Sequence, residues 1–116
     1  MLDKTHDKLY DLTAEIGERV DIDNRLTQLA EEAAELAQAA LKYRRALQTA
    51  RWEQNISPTP KTLNDAYDSL VEECSDVMLA VLVTTRYLVS NDIMLNKAKR
   101  WLDRLKCYRD EGNEND

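Results

Sequence analysis

The stretch Leu26-Thr27-Gln28-Leu29-Ala30-Glu31-Glu32-Ala33-Ala34-Glu35-Leu36-Ala37-Gln38-Ala39-Ala40-Leu41 decides the fold class. Leu26, Leu29, Ala33, Leu36, Ala37, Ala40 and Leu41, with Leu47 beyond, recur at the three-and-four spacing of one helix face. The pattern predicts a long helix from about Asn24 to Arg51. Within it, Glu32 and Glu35 stand three apart, so a helix carries both on one side beside Leu29, Leu36 and Ala39.

A second acidic pair, Glu73 and Asp76, has the same spacing and lies beside Leu70, Val77, Leu79 and Ala80. Like charges that close, partly withdrawn from water, call for a proton or a cation to neutralise them. Two such pairs facing each other across a helix packing form a hard, all-oxygen cage, for which magnesium is the natural occupant and manganese a substitute. Asp76 directly precedes the apolar run Val77–Val83, an expensive place for an unpaired carboxylate. Glu31 and Glu72 read as solvent-facing acids or as supports to their neighbours.

Working outward, the sequence reads as four helices and no strand. A first helix spans about Asp3 to Arg19, with Leu9, Leu12 and Ile16 as its stripe. Asp21-Ile22-Asp23-Asn24 breaks the chain and caps the second helix. Gln54 to Pro60 reads as a loop, because its two prolines oppose helix geometry. Thr62 with Asp65 resembles a capping box for a third helix, Leu63 to about Val89, whose Val77–Val83 segment is apolar on every side and expected to be the most buried. Ser90-Asn91-Asp92 breaks and recaps the chain, and a fourth helix then runs from about Ile93 to Arg109, with Leu95, Ala98, Leu102 and Leu105 inward. The tail from residue 110 to 116 is expected to fray. Antiparallel pairing of the second and third helices across the proline loop brings the two acidic pairs together.

The bulk composition narrows the function. The 116 residues suit a single domain, for which self-association is a common source of stability. A formal charge of −6 disfavours nucleic acid as a partner, since phosphate backbones would be repelled. A small anion held through metal ions remains compatible. Cys74 and Cys107 lack metal-ligand spacing and read as reduced packing thiols of a cytoplasmic protein. The opening Met1-Leu2-Asp3-Lys4-Thr5-His6 lacks the apolar stretch of a signal peptide, and no apolar run approaches the roughly 20 residues of a membrane span. His6 is the only histidine, which disfavours zinc sites and histidine-based triads; neither acidic pair is followed by the histidine of a di-iron motif. Gly17 and Gly112 stand alone, so there is no phosphate-binding loop.

Lys97, Arg100 and Arg104 form a cationic stripe on the fourth helix. Beside a magnesium cage it would grip nucleotide phosphates, the arginines forking onto oxygens; a solvated face balancing the acidic total is the alternative. Lys42, Arg44 and Arg45 near the end of the second helix read the same two ways, as phosphate ligands or as complements to the helix dipole. Trp52, Trp101, Tyr43 and Tyr87 read as core or interface residues, with stacking on a base as the other use.

Leu29-Ala30-Glu31-Glu32-Ala33-Ala34-Glu35-Leu36 followed by Lys42-Tyr43-Arg44-Arg45 resembles the first signature of the MazG-like, all-α nucleoside triphosphate pyrophosphohydrolases. Val71-Glu72-Glu73-Cys74-Ser75-Asp76-Val77 is similar to their second, and Lys97 to Arg104 to the basic helix ending many small, phage-associated members. The resemblance covers roughly Asp21 to Leu105. It implies an antiparallel four-helix bundle that pairs into a dimer or a dimer of dimers, with active sites near the subunit interface. It also implies magnesium on Glu32, Glu35, Glu73 and Asp76, and cleavage of a nucleoside triphosphate to the monophosphate and pyrophosphate. The interval between Glu35 and Glu73 is longer than in compact members, which leaves base preference open. The competing expectation is a catalytically silent helical adaptor whose acids hold a structural ion or solvate an oligomer surface.

Overall fold

The computed structural model describes residues 4–52, 60–84 and 89–114, with side chains over 4–50, 62–84 and 89–108. Helices α1 (Lys4–Arg19), α2 (Ile22–Trp52), α3 (Pro60–Thr84) and α4 (Asn91–Glu114) follow in order, with no strand among the described residues. The fold class is all-α. Two compact units divide the chain, Met1–Arg86 and Tyr87–Asp116.

The helix starts follow from capping chemistry. Asp21 Oδ1 accepts the Asn24 amide at 2.9 Å, satisfying one of the free donors in the first turn of α2. Ser90 does the same for α4, its hydroxyl accepting the Ile93 amide at 3.3 Å. Asp21 and Ser90 therefore cap as their sequence suggested, while Ile22, Asp23 and Asn24, expected in the break, belong to α2.

Three contacts fix α2 and α3 as antiparallel. Arg25 at the start of α2 meets Thr84 at the end of α3, at 2.7 Å. Midway, Glu32 and Glu35 lie beside Glu73. Tyr43, late in α2, packs its ring against Tyr67, early in α3, with centroids 5.7 Å apart and planes tilted by 58°. Small residues allow the close approach: among the described residues, Ala66 and Ala80 of α3 are the buried apolar side chains. Helix α1 packs on α3 through Thr13, 2% exposed, and Gly17, where an added Cβ would come within 3.1 Å of the Val83 carbonyl oxygen. Thr13 satisfies its hydroxyl on the Tyr10 carbonyl at 2.8 Å, and buried Thr84 donates to Ala80 at 2.7 Å.

Several expectations need correction. Pro60 is helical rather than loop, because the first turn of a helix needs no amide donor from it. Helix α3 thus begins ahead of Thr62, which lies inside its first turn and is not its cap. Helix α4 continues to Glu114, well past Arg109, since the lone Gly112 costs only about 1 kcal/mol in a helix and no proline follows. The Val77–Val83 segment is not sealed on all sides: Met78 is 59% exposed and Leu79 40%. Leu95, Ala98, Leu102 and Leu105 of α4, expected to face inward, are exposed too. Cys74 and Cys107 are free and exposed, not packed. The segment 53–59, which holds most of the proline loop, residues 85–88 with Tyr87, the side chain of Trp52 and the end of the tail lie outside the described residues.

No described helix is long and apolar enough to cross a membrane.

Candidate metal centre

Glu32, Glu35 and Glu73 each offer a carboxylate oxygen, and these oxygens all lie within 4.8 Å of one another. Glu32 and Glu35 come from one turn of α2 and Glu73 from α3, so the cluster exists only because the helices run antiparallel in this register. Glu35 is exposed, whereas Glu32 and Glu73 are half-buried. In each of the latter, Oε2 is sealed from solvent and has no hydrogen-bond partner. Sealed, unpartnered carboxylate oxygens carry a substantial desolvation cost.

The titration behaviour of Glu32 and Glu73 agrees. Loss of hydration pushes the Glu32 carboxyl above the ordinary value of 4.5, followed by the negative charges of Glu35 and Asp76, while Gln28 opposes the rise by donating a hydrogen bond. Glu73 is raised in the same way, first by desolvation and then by the charges of Glu35, Asp76 and Glu32. Asp76 stands outside the trio's tight grouping but acts on both of its half-buried members. Asp76 and Glu32 also share the wall of a cavity of about 180 Å³, whose other walls include Ile16, Val20, Arg25 and Leu79.

The donor set fits a hard divalent cation. It is all-carboxylate, it converges, and it contains sealed oxygens that no protein donor satisfies. Glu31 and Glu72 are exposed, as their reading as solvent-facing acids requires. Lys42 is exposed on α2, seven residues beyond Glu35 and so on nearly the same face about 10 Å along the helix axis. Arg45 is exposed further along α2, and Lys97, Arg100 and Arg104 are exposed on α4 in the second unit. Trp101 is 65% exposed.

Arg25 is the residue that sequence reasoning missed. Its Nη1 donates to the Thr84 carbonyl at 2.7 Å and to the Val83 carbonyl at 3.3 Å, and Thr84 Oγ1 lies 3.4 Å from the Arg25 carbonyl. A cation is thereby placed on the free carbonyls at the negative end of α3. A signal was available. An arginine in the first turn of a helix opposes that helix's own dipole, which points to a partner elsewhere. This clamp lies about two turns from Glu32 and holds the register that joins the acids. Arg25→Ala is expected to lower stability by about 1–3 kcal/mol, read as a fall in melting temperature. An unchanged melting temperature would deny the clamp its role.

No protein-family model matches the chain, and neither a characterised protein nor a solved structure shows significant similarity to it.

Proposed function

We propose that the chain is a magnesium-dependent nucleoside triphosphate pyrophosphohydrolase of the MazG-like, all-α type, yielding the nucleoside monophosphate and pyrophosphate. The observation that carries this reading is the convergence of Glu32, Glu35 and Glu73 within 4.8 Å, with two oxygens sealed and unpartnered. The order of the acidic signatures along the sequence supports it.

Glu32, Glu73 and Asp76, with Glu35, would hold the cation. Bound there, magnesium supplies charge neutralisation to phosphate oxygens and acidifies water. Glu35, the exposed member, accepts the proton of the water that adds at the α-phosphorus. The bond to the bridging oxygen breaks and pyrophosphate departs. Lys42 and Arg45 of α2 bind phosphate oxygens in this scheme, offsetting the charge of the leaving group. The cavity of about 180 Å³ beside Glu32 and Asp76 is smaller than the usual drug-sized pocket and suits one base ring rather than a whole nucleotide.

The test is a panel of standard and modified nucleoside triphosphates assayed for pyrophosphate release with magnesium. Release from at least one substrate, abolished by chelation, is the expected result. Silence across the panel from a folded sample would reject the enzyme and favour the adaptor.

A further inference from the structure

The cavity of about 180 Å³ beside the acids has walls of two kinds, and every one of them belongs to the unit Met1–Arg86. Ile16 and Val20 of α1, and Leu79 and Val83 of α3, are pairs spaced four apart, so each of these helices offers two aliphatic side chains from one face. The α2 wall is polar. Arg25, Gln28 and Glu32 recur along it at three- and four-residue spacing. Apolar sides with one polar edge suit a flat, uncharged ring, whose faces lie against methyl groups and whose rim carries hydrogen-bonding atoms.

The polar edge selects those atoms. Arg25 spends Nη1 on the Val83 and Thr84 carbonyls, and its Nε has no acceptor, so a carbonyl oxygen is what this wall lacks. Gln28 gives one N–H to Glu32 and retains a carbonyl oxygen and a second N–H, which pair with an amino or an oxo group alike. Thr84 adds no selection, because its hydroxyl is taken by the Ala80 carbonyl. Volume sets the size. The cavity has the space of about six waters, enough for one ring with its exocyclic groups but too little for two fused rings. Glu32 and Asp76 line the same cavity, so a ring seated there keeps the rest of its nucleotide beside the acidic cluster.

We propose that this cavity seats the base of a pyrimidine nucleotide. The carbonyl beside the glycosidic nitrogen turns to Arg25, and the oxo or amino group across the ring turns to Gln28. The inference rests on the pyrophosphohydrolase reading and adds its substrate class: cytosine and uracil nucleotides enter, and adenine and guanine nucleotides are too large.

Titration of the folded, metal-free chain with cytidine, uridine, adenosine and guanosine, followed through isoleucine, leucine and valine methyl resonances, tests the proposal. Nucleosides carry no phosphate, so the readout needs neither metal nor turnover. The expected result is movement of the Ile16, Val20, Leu79 and Val83 methyls, with cytidine and uridine binding at least about tenfold more tightly than the two purine nucleosides. Ile16 and Leu79 are 38% and 40% exposed, at the rim of the cavity. Ile16→Trp and Leu79→Trp, made singly, should fill it and each weaken cytidine binding at least about tenfold, at undiminished helix content and manganese binding. Purine nucleosides that bind as tightly, cytidine binding unmoved in both variants, or a native chain that binds no nucleoside would overturn the proposal. Cytidine binding by a chain that releases no pyrophosphate would uphold the cavity and reject the enzyme. Equal release from purine and pyrimidine triphosphates would overturn the cavity and uphold the enzyme.

Discussion

Glu32→Gln and Glu73→Gln should each lower pyrophosphate release by at least about a hundredfold while making the metal-free protein more heat-stable at neutral pH. The two effects have one cause. Both carboxyls are raised above 4.5 by desolvation and by neighbouring acids, so the folded state resists their negative charge. An amide of the same shape removes that repulsion and, with it, the charge that would bind a cation. Opposite movements of activity and stability separate a metal ligand from an ordinary structural residue, whose loss lowers both. Turnover that survives in both variants would remove these residues from the chemistry.

The second large effect is a pH-dependent stabilisation by magnesium. A carboxyl whose folded-state value is raised contributes stability that is complete below its ordinary value and is lost as pH rises through the raised one. Without metal, Glu32 and Glu73 therefore weaken the fold as pH climbs from 4.5 toward neutrality. Magnesium neutralises the same charges and competes with the same protons, so its benefit grows in the direction in which theirs disappears. At saturating magnesium the melting temperature should rise by about 5 °C or more near pH 7.5, and the rise should shrink near about pH 5. A magnesium effect equal at both pH values would place the ion away from these two glutamates. Calorimetric or fluorescence melts at the two pH values, with and without chelator, give the comparison.

Much of this architecture is legible in the sequence because it is local. The three-and-four spacing from Leu26 to Leu47 specifies α2, and Asp21 and Ser90 mark helix starts through side-chain capping that needs no tertiary information. The acidic pairs are legible for the same reason, since a helix alone puts Glu32 beside Glu35 and Glu73 beside Asp76. What joins the pairs is not local. The register of α2 against α3 depends on Arg25 reaching Val83 and Thr84, and on Tyr43 meeting Tyr67, contacts between residues far apart in sequence.

Burial is the property that pattern reading misjudges most. An all-round apolar segment such as Val77–Val83 reads as core, yet Met78 and Leu79 are exposed. Conversely, Thr13 and Thr84, which no apolar pattern marks, are each only 2% exposed, their hydroxyls satisfied by carbonyls of their own helices. Stripes like those of α3 and α4 are ambiguous in sequence between the core of a chain and the contact between chains. Apolar spacing is the same in both cases.

On the proposed reading, Glu32, Glu35, Glu73 and Asp76 together hold a divalent cation. Titration of the chelated protein with manganese, followed by electron paramagnetic resonance of the free ion, tests it most directly. The expected result is saturable binding of at least one ion per chain, displaced by magnesium and by acidification, and lost in Glu32→Gln and Glu73→Gln while Glu72→Gln binds as before. Manganese that stays free in the presence of the folded native chain, or that binds equally well to all these variants, would contradict it.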